Sequence, residues 1–161
     1  MQTIFARFAA AASLLLAAIA PFPSAQAQTH GAIAIHDPWV GTTSPGAEVA
    51  AGYVTLHNNG AAPDRLLSAT SSRAARVELH EMRMDDGVMR MRQVHAIALA
   101  PDAHVTLAPG GLHIMFFGVE TPIVAGERIS VTLMFEQAGA VEVAFIARPR
   151  HTQRSAGHGH H

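Results

Sequence analysis

Two histidines and two methionines, His80, Met91, His113 and Met115, follow the spacing H-x10-M-x21-H-x-M. The stretch from His80 to Met115 holds five of the chain's seven methionines and four of its eleven histidines. Imidazole and thioether are uncharged, fairly soft donors. As a set they suit Cu(I) far better than zinc, which prefers thiolate, imidazole or carboxylate, or calcium and magnesium, which take oxygen. A thioether neither competes for protons nor is lost to disulfide formation, so two imidazoles and two thioethers can hold Cu(I) in an oxidising compartment without adding charge.

For four residues so far apart in sequence to meet, short strands must carry them. Val77 and Leu79 alternate with Glu78 and His80, which places the imidazole opposite the apolar pair. Asp85-Asp86-Gly87 is a hairpin signal that returns Val88 to Val94 antiparallel, with Met89, Met91 and Gln93 on one face, so Met91 comes near His80. Further on, Leu112, Ile114 and Phe116 point to the core while His113 and Met115 point away. All four donors therefore lie where no core explanation is needed. Met82, Met84, Met89 and Met134, taken singly, are read as packing, since methionine commonly fills gaps; the first three are expected to flank the site without binding. His57, His95 and His104 are read as solvated or hydrogen-bonded surface residues.

The remaining chain has the same texture. Ala32 to His36 reads as a strand, Asp37-Pro38 as a turn, and Trp39-Val40 as extended again. Val49 to His57 alternates and closes at Asn58-Asn59-Gly60. Arg65 to Thr70 and Val105 to Ala108 are further short runs, and Ile129 to Phe135 with Val141 to Ala147 form a final hairpin across Gln137 to Ala140. About nine short strands without an amphipathic helix predict an all-β antiparallel sandwich or barrel.

Arg7 followed by thirteen apolar or small residues, Phe8 to Ala20, and then Ala25-Gln26-Ala27, has the layout of a secretory signal peptide over residues 1–27. Residues 28–150 would form one domain, and 151–161 a His-rich disordered tail. Eleven arginines, no lysine and twelve acids give no reason to expect nucleic acid or an anionic membrane as partner. No other run is long enough to cross a membrane. The absence of cysteine excludes thiolate zinc sites, thiol nucleophiles and the blue-copper site. With no base set beside a nucleophile, an enzyme is not expected, and a monomer is.

VELHEMRMDDGVMRMRQV and LAPGGLHIMFFGV, with SPGAEVAAGYVTLHNNG before them and ERISVTLMFEQAGAVEVAF after, closely resemble the periplasmic copper chaperone family called PCu(A)C. The family's motif matches residue for residue at His80, Met91, His113 and Met115. The resemblance implies a cupredoxin-like Greek-key sandwich that delivers Cu(I) to the CuA centre of cytochrome c oxidase, often beside a Sco-type thiol protein. Some members add a Met- and His-rich C-terminal extension that helps bind Cu(II); this tail has His151, His158, His160 and His161 but no methionine.

Copper storage or resistance, and a metal-free β-sandwich interaction module, are the competing readings. A separate Cu(II) site is also conceivable at the processed end. Cleavage after Ala27 leaves Gln28-Thr29-His30, whose amine, two amides and imidazole could wrap a square-planar ion.

Overall fold

The structure, a computed structural model, describes residues 28–150; the expected signal peptide and the His-rich tail lie outside the described residues. Eleven strands follow one another: β1 (Gln28–His30), β2 (Ile33–Gly41), β3 (Val49–Asn58), β4 (Asp64–Thr70), β5 (Arg76–Asp85), β6 (Val88–Gln93), β7 (Ile97–Leu99), β8 (His104–Leu107), β9 (Leu112–Phe117), β10 (Arg128–Phe135) and β11 (Gly139–Arg148). No helix occurs among the described residues.

Nine strands form one hydrogen-bonded path in the order β6-β5-β9-β3-β2-β11-β10-β4-β7, with β1 added to β2 and β8 to β3. Leu56, Leu79, Ile114 and Phe116 from one half of the path share a buried cluster with Leu66, Val131, Leu133 and Phe145 from the other. The path therefore closes over its own apolar face as two layers, the cupredoxin-like all-β sandwich expected. One pairing departs from the antiparallel expectation: β11 runs parallel to β2, with Ile146 opposite Trp39 and Arg148 opposite Gly41. The second and last strands make this pairing across most of the chain, and no local turn signal announces it.

Two details of the backbone aim side chains at the outer face of the β6-β5-β9-β3-β2 half. In β2 the register shifts between His36 and Trp39, and Asp37 takes a positive φ of 46°. His36 and Trp39 are three apart and would fall on opposite faces of a regular strand; the bulge lets His36 oppose Thr55 and Trp39 oppose Tyr53 on the same face. Arg148 holds the bulge through a fork on Asp37, at 3.1 and 2.6 Å. In β3, Gly52 supplies close approach: a Cβ there would meet the Phe116 ring at 2.9 Å. Phe116 can thus lie under β3 while its neighbours His113 and Met115 project the other way.

The expected hairpin is present with a two-residue loop. Asp85 pairs with Val88, while Asp86 (φ 49°) and Gly87 (φ 76°) make the turn, as an Asp-Gly pair does at a tight hairpin. The last hairpin turns at Glu136 to Ala138, slightly earlier than expected, with Phe135 opposite Gly139. Asp64 anchors that turn. Its buried carboxylate accepts from the amides of Arg65, Gln137 and Ala138 at 2.7, 2.8 and 3.0 Å.

Candidate metal centre

Alternation along three neighbouring strands decides what meets on the outer face. On β5 the outward residues are Arg76, Glu78, His80, Met82 and Met84; His113 opposes His80 and Met115 opposes Glu78 from β9. Across the hairpin, Met82 opposes Met91 and Met84 opposes Met89, while His80 itself faces Gln93. Met91 is therefore the diagonal neighbour of His80, about 7–8 Å between backbones at such positions. All four residues singled out by their spacing share one face of one sheet.

Their environments differ. His80, His113 and Met115 are 8%, 5% and 8% exposed, whereas Met91 on β6 is 49% exposed. Met115 packs in a small cluster with Ala51 and Tyr53, flanked by Trp39 and Phe117, separate from the main core. Trp39 and Tyr53 lie with ring centroids 4.4 Å apart and pack beside the thioether. A cavity of about 240 Å³ opens beside them, and Met91, His113 and Met115 line it together with Met82, Tyr53 and Arg150. His80 stands behind His113, ring centroids 5.9 Å apart.

Hydrogen bonds fix which ring nitrogen of each histidine is bare. Glu78 can only accept, so the 2.8 Å contact between its carboxylate and His80 Nε2 puts the proton on Nε2. That leaves His80 Nδ1 as a lone pair, and this buried atom has no hydrogen-bond partner among the described residues. His113 is arranged the other way round. Its Nδ1 donates to the Gly111 carbonyl at 2.8 Å, which leaves Nε2 bare. A buried nitrogen without a partner is costly unless something accepts its lone pair, and a metal ion is such an acceptor. A histidine whose second nitrogen donates to a carboxylate or carbonyl is the usual form of a metal-binding imidazole.

Glu78 also takes Arg76 at 2.6 Å, and the Arg76 guanidinium lies over Phe117 at 4.6 Å. The hydrogen bond from His80 holds the Glu78 carboxyl below the usual range, and the Arg76 charge adds to this against a counteracting desolvation. Tyr53 shifts the other way: burial raises its phenol, and the nearby Arg150 opposes the rise.

Sequence reading missed two of these residues. Glu78 and Arg150 carry no motif of their own, although Glu78 sits two residues before His80 on the outward face. Met82, expected to flank the site, lines the cavity directly opposite Met91. His57 and His104 form a further pair, stacked at 3.7 Å across β3 and β8, with Asp102 at 3.3 Å from His57. Among the described residues no three of His, Asp and Glu gather as a metal-binding group. Beside His113 the cavity offers the thioethers of Met82, Met91 and Met115 as further donors.

The residues considered for terminal Cu(II) binding, Gln28 to His30, are β1, paired with Ile33 to Ile35. Chelation through the amides of that segment would compete with its strand pairing.

Residues 33–147 match the family described as "Putative lipoprotein LpqE-like". The chain is 34% identical over 125 residues to "Putative lipoprotein Lxx21020" of Leifsonia xyli subsp. xyli, covering 74% of each. Among solved structures, the copper-bound PCuAC domain from PmoF2 superposes with a TM-score of 0.67 at 28% identity, over 78% of this chain and 99% of that one. The Cu(I) form of DR1885 from Deinococcus radiodurans superposes with a TM-score of 0.55 at 26% identity, over 78% of this chain and 83% of that one.

Proposed function

This chain belongs to the LpqE-like lipoprotein family and has the fold of the PCuAC domains, and from that premise we propose that it is an exported carrier of Cu(I). Its ligands are His80 through Nδ1, His113 through Nε2, and the thioethers of Met91 and Met115. The observation that carries this reading is the pair of bare imidazole nitrogens, one of them buried without a partner among the described residues, on the same face as two methionines that line one cavity. Neutral nitrogen and sulfur donors favour a soft monovalent ion.

The unequal exposure of the donors fits a carrier better than a catalyst. His80, His113 and Met115 are held by packing and hydrogen bonds, while Met91 stands half out in solvent on an edge strand. A recipient can displace the exposed thioether first and take the ion stepwise. Cargo enters and leaves without a redox step, and no enzymatic role is assigned.

The proposed setting is the periplasm, supported by the signal-like residues 1–27 and by the lipoprotein names of the relatives. The proposed recipient is the CuA-containing subunit of cytochrome c oxidase, with a Sco-type thiol protein acting beside this chain as a monomer. A Cu(I) titration under reducing conditions, competed by a chromophoric chelator, should show tight binding that His113→Ala and Met115→Leu weaken. Transfer to a separately purified CuA domain tests the recipient. Binding that neither substitution affects would sink the carrier reading; tight binding without transfer would favour storage instead.

A further inference from the structure

β6 is the last strand of the hydrogen-bonded path, and its ladder with β5 decides which of its main-chain groups are free. The Met82 amide donates to the Gly111 carbonyl at 3.1 Å, on the side away from β6. Met82 and Met91 therefore oppose each other as a pair that exchanges no hydrogen bonds. Such pairs alternate with bonded ones along an antiparallel ladder, so the amides and carbonyls of Met89, Met91 and Gln93 point outward from the sheet. Among the described residues no further strand covers them. One of the three, Met91, is a proposed copper donor.

A strand added at this edge would have β6 as its nearest neighbour. Met89 and Met91 stand on one face of β6, 50% and 49% exposed, and Arg90 and Arg92 on the other; Val88–Gln93 contains no acid. Behind them on β5, Arg83 lies directly opposite Arg90, a placement that like charges disfavour. Glu81 answers both Arg83 at 3.9 Å and Arg92 at 2.7 Å, and Asp85 answers Arg90 at 3.3 Å, so two carboxylates serve three guanidinium groups. Asp86 sits in the turn, off the end of β6. The three arginines line an open groove of about 610 Å³ with Met84, Asp85 and Met91, a lining suited to acidic and apolar side chains together. The chain's own tail does not match it: residues 151–161 hold Arg154 and four histidines and no acid.

We propose that β6 is a docking edge for an extended acidic segment of a partner protein, which adds as a further strand with acidic side chains over Arg90 and Arg92 and apolar ones over Met89 and Met91. Main-chain hydrogen bonds supply the pairing and the alternating side chains the choice of partner. Directly opposed side chains then lie about 5 Å apart at Cβ, near enough for a carboxylate to meet a guanidinium. The added strand bonds to the backbone of Met91 itself, which brings the partner's side chains beside an ion held by that thioether. This link to ion transfer rests on the carrier reading; the docking does not.

The test titrates the full chain, ¹⁵N-labelled and metal-free, with a short end-blocked peptide alternating glutamate and valine. The amide signals of Met89, Met91 and Gln93 should shift and their hydrogen exchange should slow, while a peptide alternating lysine and valine does neither. Arg90→Gln/Arg92→Gln, which keeps side chains of polar character without the charge, should weaken the glutamate peptide about three- to tenfold. Binding that leaves the exchange of those three amides unchanged overturns the docking edge. Equal binding of the two peptides, or a glutamine variant as tight as the native chain, does the same. Slowed exchange in β6 on concentrating the chain alone would make a second copy the occupant and also overturn it. Cu(I) affinity of the same preparation separates the two readings: docking without Cu(I) binding sinks the carrier and leaves the edge, and Cu(I) binding without docking does the reverse.

Discussion

His80 and His113 face each other directly across β5 and β9, yet they leave different nitrogens bare, Nδ1 on one and Nε2 on the other. Glu78 sets the first and the Gly111 carbonyl the second. Removing the Glu78 acceptor should release His80 from its orientation, so Glu78→Ala is expected to lower Cu(I) affinity about 10–100-fold. Glu78→Gln should recover much of the loss, because an amide oxygen still accepts from Nε2. Chelator competition on the three proteins measures it, and equal affinity in the alanine variant would remove the positioning role.

Met91→Leu and Met115→Leu separate sulfur chemistry from packing. Leucine nearly matches methionine in volume, so each swap should cost less than about 1.5 kcal/mol of stability, with Met91, half exposed, costing less than Met115 in its cluster. Both should bind Cu(I) markedly more weakly. Sulfoxidation of either should act alike, since it turns a soft donor into a polar oxygen. Urea unfolding alongside the titration distinguishes the effects; affinity that survives both leucines refutes thioether ligation.

At the far end of the sandwich, Arg65 forks onto Glu136 at 2.7 and 2.6 Å. The Arg65 hydrogen bonds, then its charge, lower the Glu136 carboxyl below its usual value against some desolvation. A depressed folded-state value means stability that is fully present above the ordinary carboxylate range and lost as pH falls through the lowered value. The pair is solvent-facing, so the effect is small. Arg65→Gln should therefore be slightly less stable than the native chain near neutrality, with the difference vanishing in acid. A difference unchanged at pH values where the carboxylate is protonated contradicts the assignment.

Asp64 should be far less replaceable. Asp64→Ala strips acceptors from three backbone amides around the β10–β11 turn, with an expected loss of about 3 kcal/mol. Cu(I) affinity should be unaffected, because the turn lies on other strands than the donors. A fall in affinity at full folding would show that the two regions are coupled.

Alternation made most of the site legible in advance. His113 and Met115 had to leave the core once Ile114 and Phe116 entered it, and the Asp86-Gly87 turn fixed the pairing of Met82 with Met91, although the latter step was not drawn from the sequence. What stayed hidden depends on contacts between distant segments. The three-residue strands β1 and β7 are too short to show a period, and the parallel pairing of β2 with β11 joins segments more than a hundred residues apart. Arg150 and the Trp39–Tyr53 pair enter the site only through that pairing and the bulge at Asp37.

β6 ends the hydrogen-bonded path, and all six of its residues are exposed. A bare strand edge is ordinarily an invitation to another copy of the chain, and from there to fibres. Arg90 and Arg92 alternate with the methionines along this edge, and two such edges brought together would set guanidinium groups against one another. The strand that must stay open to give up its ion is thus guarded against self-templated aggregation by the residues on its other face.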